Sequence, residues 1–161
     1  MKNIKKDILI YTDGGVQHNG KPYCFGACAY LILINGDFLD QNVQCLYNTT
    51  NNRAELQSII NSLTFLKERH LTNDIITIHS DSQYCIKGCS LWMYSWQKNR
   101  FMRDGELIPN SDLWMEIFDL VKSFKNLNFK WVKGHSVDEW NNYVNDLCTE
   151  RQEKMIEGVL L

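Results

Sequence analysis

No run in the 161 residues approaches the roughly 20 apolar residues needed to cross a bilayer. The basic start, Met1-Lys2-Asn3-Ile4-Lys5-Lys6-Asp7, leads into an apolar stretch far too short for a signal peptide. Both absences point to a soluble, cytoplasmic protein with no membrane partner. There is no surplus of positive charge either: the net charge is -2, so any nucleic-acid surface has to be a local concentration of Lys and Arg. No G-x-G-x-x-G loop is present, which argues against a nucleotide-dependent small-molecule enzyme. Internal repeats and low-complexity tracts are missing as well. What is present, 44% hydrophobic and 22% charged residues, is enough for one domain spanning residues 1–161 with a sizeable core.

Cysteine is not scarce. The six are Cys24, Cys28, Cys45, Cys85, Cys89 and Cys148, and two pairs are spaced four apart. That spacing invites zinc, but zinc sites favour tighter knuckles on turns. Cys24/Cys28 fall on a strand-like segment and Cys85/Cys89 on a helix-like one, so they read as reduced, mostly buried thiols.

Residues 7–13 read as a buried strand, and 23–34 and 37–47 as two more, joined by the hairpin signal Asn35-Gly36. Asn51 or Asn52 then looks like a helix N-cap, because Leu56, Ile59, Ile60, Leu63 and Leu66 recur at helical spacing behind it. Residues 74–80 form the next strand. A helix separates it from the opening meander, so the spacing predicts parallel pairing with an earlier strand. Short helical stretches follow around 82–88 and 91–98, then a polar loop over 99–111 and a helix over Ser111–Ser123. A fifth strand covers 127–132 and a last helix about 138–154. The expected order is β-β-β-α-β-α-α-β-α, an α/β fold with a mixed five-stranded sheet flanked by helices.

On this scheme Asp13 and Asp81 close strands that are expected to be parallel neighbours, where open α/β sheets place their sites. Glu55, in the first turns of the helix leading to the fourth strand, can face the same cleft. Taken singly, each has an ordinary reading as a turn, cap or helix-dipole residue. Taken together, three like charges repel, each pair by about 4 kcal/mol at ~4 Å in an effective dielectric of ~20. Such a cluster calls for protons or cations. All-oxygen ligands select a hard ion, Mg²⁺ with Mn²⁺ as a substitute. Two such ions can drive in-line attack of water on a phosphodiester.

Five stretches closely resemble the motifs of type 1 ribonuclease H, in order and across residues 8–151. They are Thr12-Asp13-Gly14, Thr50-Asn51-Asn52-Arg53-Ala54-Glu55, Asp81-Ser82-Gln83-Tyr84, Asp112-Leu113-Trp114 and Trp131-Val132-Lys133-Gly134-His135. The resemblance implies a ribonuclease H-like fold and an endonuclease that hydrolyses the RNA strand of RNA–DNA hybrids, leaving 5′-phosphate and 3′-hydroxyl ends. It implies Asp13, Glu55, Asp81 and Asp146 as carboxylates holding two Mg²⁺ ions, with Asp146 eleven residues beyond His135. It gives His135 a part in proton transfer or product release, work that an imidazole side chain is chemically suited to.

The resemblance also implies substrate contacts. Gly14 and Gly15 permit close backbone approach, and Asn19, Asn51 and Gln83 match positions that contact or orient the RNA strand, whose 2′-hydroxyls distinguish it from DNA. Tyr84, Trp92 and Trp96 resemble an aromatic channel for the DNA strand, whereas Trp114 and Trp131 read as core, and His79 as structural. Thr50 and Asn99 resemble parts of a phosphate pocket, although Asn48 stands where an Arg is frequent. Lys98, Arg100 and Lys133 supply basic contacts. The 97–111 segment sets Lys98, Arg100 and Arg103 against Asp104 and Glu106, and only about six residues precede the first strand, so modest affinity for hybrid is expected. The protein is expected to act as a monomer. A module that binds hybrids without cutting them would lack a carboxylate. A related nuclease for DNA junctions would lack the Asn-rich stretch before Glu55 and the Lys-Gly-His loop.

Overall fold

In the computed structural model, which describes residues 4–17 and 25–160, the chain opens with three antiparallel strands: β1 (Asp7–Gln17), β2 (Phe25–Ile34) and β3 (Asp37–Tyr47). Asn19, Cys24 and the first two residues of the strand expected over 23–34 lie outside the described residues. Asn35 and Gly36 join β2 to β3 with φ of 48° and 85°, the left-handed pair that a two-residue hairpin turn demands. Helix α1 (Asn51–Glu68) leads to β4 (Ile75–Ser80), which pairs in parallel with β1, and β7 (Asn126–Trp131) pairs in parallel with β4. The sheet runs β3-β2-β1-β4-β7, the mixed five-stranded sheet expected from the sequence.

β1 runs past Asp13 to Gln17 because Gly14 and Gly15 continue its pairing with β2 instead of ending it. The cap of α1 is Thr50, not Asn51 or Asn52: the Thr50 hydroxyl accepts from Arg53 N at 3.2 Å. Asn51 is the first helical residue, and its side-chain oxygen accepts from Val16 N at 3.0 Å, tying the helix start to β1. The two short helical stretches are consecutive, α2 (Gln83–Lys87) and α3 (Met93–Lys98) joined by a π-helical turn over Gly88–Trp92. Gly88 sits where a Cβ would collide with the ring of Trp114, so the wide turn and the bulky ring require one another.

The segment read as a loop contains a small hairpin, β5 (Met102–Arg103) and β6 (Glu106–Leu107), turned by Asp104 and Gly105 at φ 55° and 82°. Two-residue strands carry no alternation that a sequence reading could detect. α4 (Ser111–Val121) follows and is clamped to α1 by a two-pronged contact of Arg53 with Asp112 at 2.7 and 2.9 Å. Half-exposed as it is, this pair contributes about 1 kcal/mol at most. α5 (Glu139–Leu160) begins behind Asp138, whose carboxylate accepts from Trp140 N and Asn141 N.

Burial explains why β1 reads as unbroken apolar sequence. Ile8 and Ile10 enter the large core with Leu56, Ile59, Leu63, Leu66, Ile76, Ile78 and Trp114. Tyr11, with Leu9 against it, packs on the opposite face with Leu31, Leu33 and Val144 of α5. A strand covered on both faces has no polar side to show. Cys85 and Cys89 lie fully buried in the large core, their thiols pushed well above the ordinary range by desolvation.

Candidate active site

The register that matches Tyr11 to His79 in the parallel β1–β4 pair carries Asp13 and Asp81 to the same level, two residues further on. β4 ends at Ser80, so its neighbour position beside Asp13 is open. Glu55 arrives from α1, and the approach depends on Gly14: a Cβ there would lie 2.5 Å from both Ala54 O and Glu55 N. No side chain fits between the strand and the helix. The carboxylate oxygens of Asp13, Glu55 and Asp81 consequently lie within 4.8 Å of one another.

This proximity is electrostatically costly. Burial first, then the charge of Asp81, raises Asp13 from 3.8 to about 6. Burial holds Glu55 well above the usual carboxylate range, with Asp13 and Asp81 adding to the effect. Burial raises Asp81 as well, while His135 pulls it back down. The Gly14 N–H donates to this group and favours the charged forms of Asp13 and Glu55. Glu55 Oε2 is buried with no hydrogen-bond partner among the described residues. A buried oxygen lacking a donor, among three carboxyls pushed toward neutrality, fits a divalent cation, and the all-oxygen set fits Mg²⁺ or Mn²⁺.

The loop after β7 closes the site from the other side. Gly134 presses on Asp81, where a Cβ would meet Asp81 Oδ2 at 2.9 Å. Trp131 is 43% exposed, which corrects its reading as a core residue; its indole N–H donates to the Asp81 carbonyl at 3.0 Å. Lys133 and His135 are exposed on this loop, with His135 at φ 53°. His79 is structural as expected: it stacks on Tyr11 at 4.4 Å, and its Nδ1 meets Ile10 O at 3.1 Å.

The structure does not bring Asp146 to the cluster. It is exposed on α5, and the residue before it, Asn145, donates from Nδ2 to Asp13 Oδ2 at 3.0 Å. Cys148 Sγ donates to the Asp13 carbonyl and Gln152 Nε2 to the Gly15 carbonyl at 2.7 Å. Helical period is the signal that locates Asn145, since Asn141, Asn145, Cys148 and Gln152 share one face and Asp146 falls off it. An acidic side chain at the expected place in the motif order masked that signal.

The expected substrate contacts lie in several environments. Gln83 is exposed just beyond Asp81, at a shallow groove shared with Ile86, Lys87 and Trp131. Tyr84 faces inward, its hydroxyl accepting from Trp114 Nε1 at 2.9 Å and Asn110 Nδ2 at 3.2 Å. Trp96 packs edge-on against Trp114 and borders a groove with Tyr84, Arg103, Ile108 and Pro109, while Trp92 is 36% exposed beside it. Lys98, Asn99 and Arg100 are exposed at the end of α3. Thr50 spends its hydroxyl on the helix cap, and Gly15 has only ordinary contacts, with Gln152 at 3.5 Å from a built Cβ. Gly14 is required by α1, which accounts for its small size without appeal to substrate.

The sequence model of the RNase H family matches residues 5–153. The chain is 35% identical to ribonuclease HI of Haemophilus influenzae over 163 residues, covering 98% of this chain and 95% of that one. It is 37% identical to ribonuclease H of Caldicellulosiruptor saccharolyticus over 154 residues, covering 94% and 97% respectively. Among solved structures, LC9-RNase H1, a type 1 RNase H with the type 2 active-site motif, superposes with a TM-score of 0.80 at 22% identity, covering 96% of this chain and 75% of that one. LC11-RNase H1, solved in complex with RNA/DNA hybrid, superposes at 0.68 with 20% identity, covering 92% and 99%. Relatives and fold together define a nuclease, a hydrolase of phosphodiesters. The chain belongs to the ribonuclease H family, in its type 1 branch, whose activity is cleavage of the RNA strand of RNA–DNA hybrids.

Proposed function

We propose that this protein is an endonuclease that hydrolyses the RNA strand of RNA–DNA hybrids with two Mg²⁺ ions, leaving 5′-phosphate and 3′-hydroxyl ends. It acts as a single-domain, cytoplasmic monomer, with Mn²⁺ able to replace Mg²⁺. The observation that carries the reading is the convergence of Asp13, Glu55 and Asp81 oxygens within 4.8 Å around a buried Glu55 oxygen that lacks a donor. Bound divalent ions would supply activation of the attacking water and charge stabilisation at the leaving oxygen. Asp13, Glu55 and Asp81 hold the ions. Gly14 N–H and Asn145 orient the Asp13 carboxylate.

A water oxygen attacks phosphorus, the bond from phosphorus to the 3′-oxygen breaks, and a proton ends on that 3′-oxygen. His135, exposed on the loop beside Asp81, moves that proton or helps product leave. Asn51 and Gln83 contact the RNA strand; Trp92, Trp96, Lys98, Asn99, Arg100 and Lys133 contact the partner strand and phosphates. The test is side-by-side digestion of labelled hybrid, RNA duplex and DNA duplex in Mg²⁺ and in EDTA, with the ends checked by primer extension from the new 3′-hydroxyl. Cleavage confined to the RNA of the hybrid, and abolished by EDTA, is expected. Equal cutting of the DNA duplex, or cutting that survives EDTA, overturns the reading.

A further inference from the structure

α5 presents a polar side chain to the carboxylate cluster, and that side chain is an amide. Asn145 Nδ2 donates to Asp13 Oδ2 at 3.0 Å. Cys148 and Gln152, further along the same face, donate to the Asp13 and Gly15 carbonyls, so the helix is fixed against β1 at three points. Asp146, rotated about 100° around the helix, is exposed. We propose that Asn145 is the α5 member of the metal site, positioning Asp13 when metal is absent and offering a neutral amide oxygen when metal is bound, and that Asp146 takes no part. This inference rests on the metal-dependent reading above.

The chemistry of the amide supports both roles. Nitrogen and oxygen sit on one carbon, and rotation about χ2 exchanges the donor for an acceptor. Amide oxygens are ordinary ligands of hard cations. A carboxylate at 145 would face three carboxyls that already repel one another, whereas the amide stabilises Asp13 by a hydrogen bond and adds no charge. The consequence is a site preorganised without metal that holds its cations with one negative charge fewer. Occupancy then requires a higher concentration of divalent ion.

The experiment is calorimetric titration of Mg²⁺ into the metal-free full chain without substrate, paired with thermal melts in EDTA, for the parent, N145D, N145A and D146N. N145D is expected to bind Mg²⁺ about tenfold tighter, because ligand charge sets affinity in oxygen sites, and to melt lower in EDTA through repulsion of Asp13. A residue that only packs would not produce that gain. N145A should bind more weakly than the parent, and D146N should match the parent in both measurements. If N145D does not fold, N145A against D146N decides the same question. Loss of Mg²⁺ binding in D146N, with the position-145 variants unchanged, overturns this assignment and leaves the functional reading standing. A parent that binds no Mg²⁺ and cuts hybrid in EDTA overturns the functional reading itself, and this assignment with it.

Discussion

Gly14 and Glu55 meet so closely that a Cβ on the glycine would lie 2.5 Å from the backbone nitrogen of Glu55. The contact sets the distance between β1 and the start of α1, and with it the place of the Glu55 carboxylate beside Asp13. Gly14→Ala must push the helix away or bend the strand, at a cost of about 1–3 kcal/mol typical of overpacking. The melting temperature should fall, and Mg²⁺-dependent cleavage should fall further than the stability loss explains. Gly15→Ala is the control: its Cβ would come no closer than 3.5 Å to Gln152, so stability and activity should stay near parental. A Gly14→Ala protein with full activity would refute this account of how Glu55 is placed.

The raised carboxyls predict an inverted pH dependence of stability in metal-free buffer. Asp13 titrates near 6 in the fold against 3.8 ordinarily, and Glu55 and Asp81 shift in the same direction. Between those values the folded state binds more protons than the unfolded one, so stability falls as pH rises. Melts in EDTA should therefore drop in temperature as pH rises from about 4 to about 7. Saturating Mg²⁺ takes over the role of the protons and should flatten that slope. Stability that climbs with pH in EDTA would contradict the raised values.

Asp13→Asn removes one charge from the cluster and a carboxylate from the metal site. Its metal-free stability at neutral pH should equal or exceed that of the parent, while cleavage of hybrid is abolished. Melts in EDTA and a hybrid assay in Mg²⁺ measure the two halves. Near-parental turnover would sink the assignment of Asp13.

His135→Ala should be milder, a loss at or below the roughly 10²–10⁴ range of general acid–base groups. Single-turnover rates in saturating Mg²⁺ measure it, with parent and variant compared on the same hybrid. A loss as complete as that of Asp13→Asn would place His135 among the metal-holding groups instead.

The basic end of α3 provides a prediction about affinity. Arg100 has φ 56°, a conformation that Asn tolerates and Ala resists, so the suitable triple variant is Lys98→Ala, Arg100→Asn, Arg103→Ala. For every phosphate that one of these side chains neutralises, its removal should reduce the salt slope of hybrid binding by about 0.9. KM should rise with kcat little changed, since uniform binding is weakened without touching the reacting bond. An unchanged KM and salt slope would mean that these charges never reach phosphate.

The sheet was legible in the sequence because its signals are local. Asn35-Gly36 demands a tight turn, and the spacing from Leu56 to Leu66 demands a helix. Asp13 and Asp81 could be brought together in advance because parallel pairing follows from the helix between their strands. What stayed hidden depended on packing. Gly14-Gly15 looks like a strand breaker until the proximity of α1 explains the first glycine. Trp131 looks like core until the Asp81 carbonyl claims its N–H. Asn145 was obscured by the acidic residue beside it, since a neighbour on a helix points about 100° away and linear order does not say which of the two faces in.

Among the described residues, the pairing of β1 with β4 stops at Tyr11, and no other strand takes its place on that side. A strand left bare in this way ordinarily invites any extended segment to pair with it. Here two of its amide hydrogens are already claimed, Gly14 N–H by the carboxyls of Asp13 and Glu55 and Val16 N–H by Asn51. An extended segment laid along it would therefore meet an interrupted ladder. Two of its carbonyls are taken as well, Asp13 O by the Cys148 thiol and Gly15 O by the Gln152 amide, so side chains of α1 and α5 close off the strip where β4 leaves it.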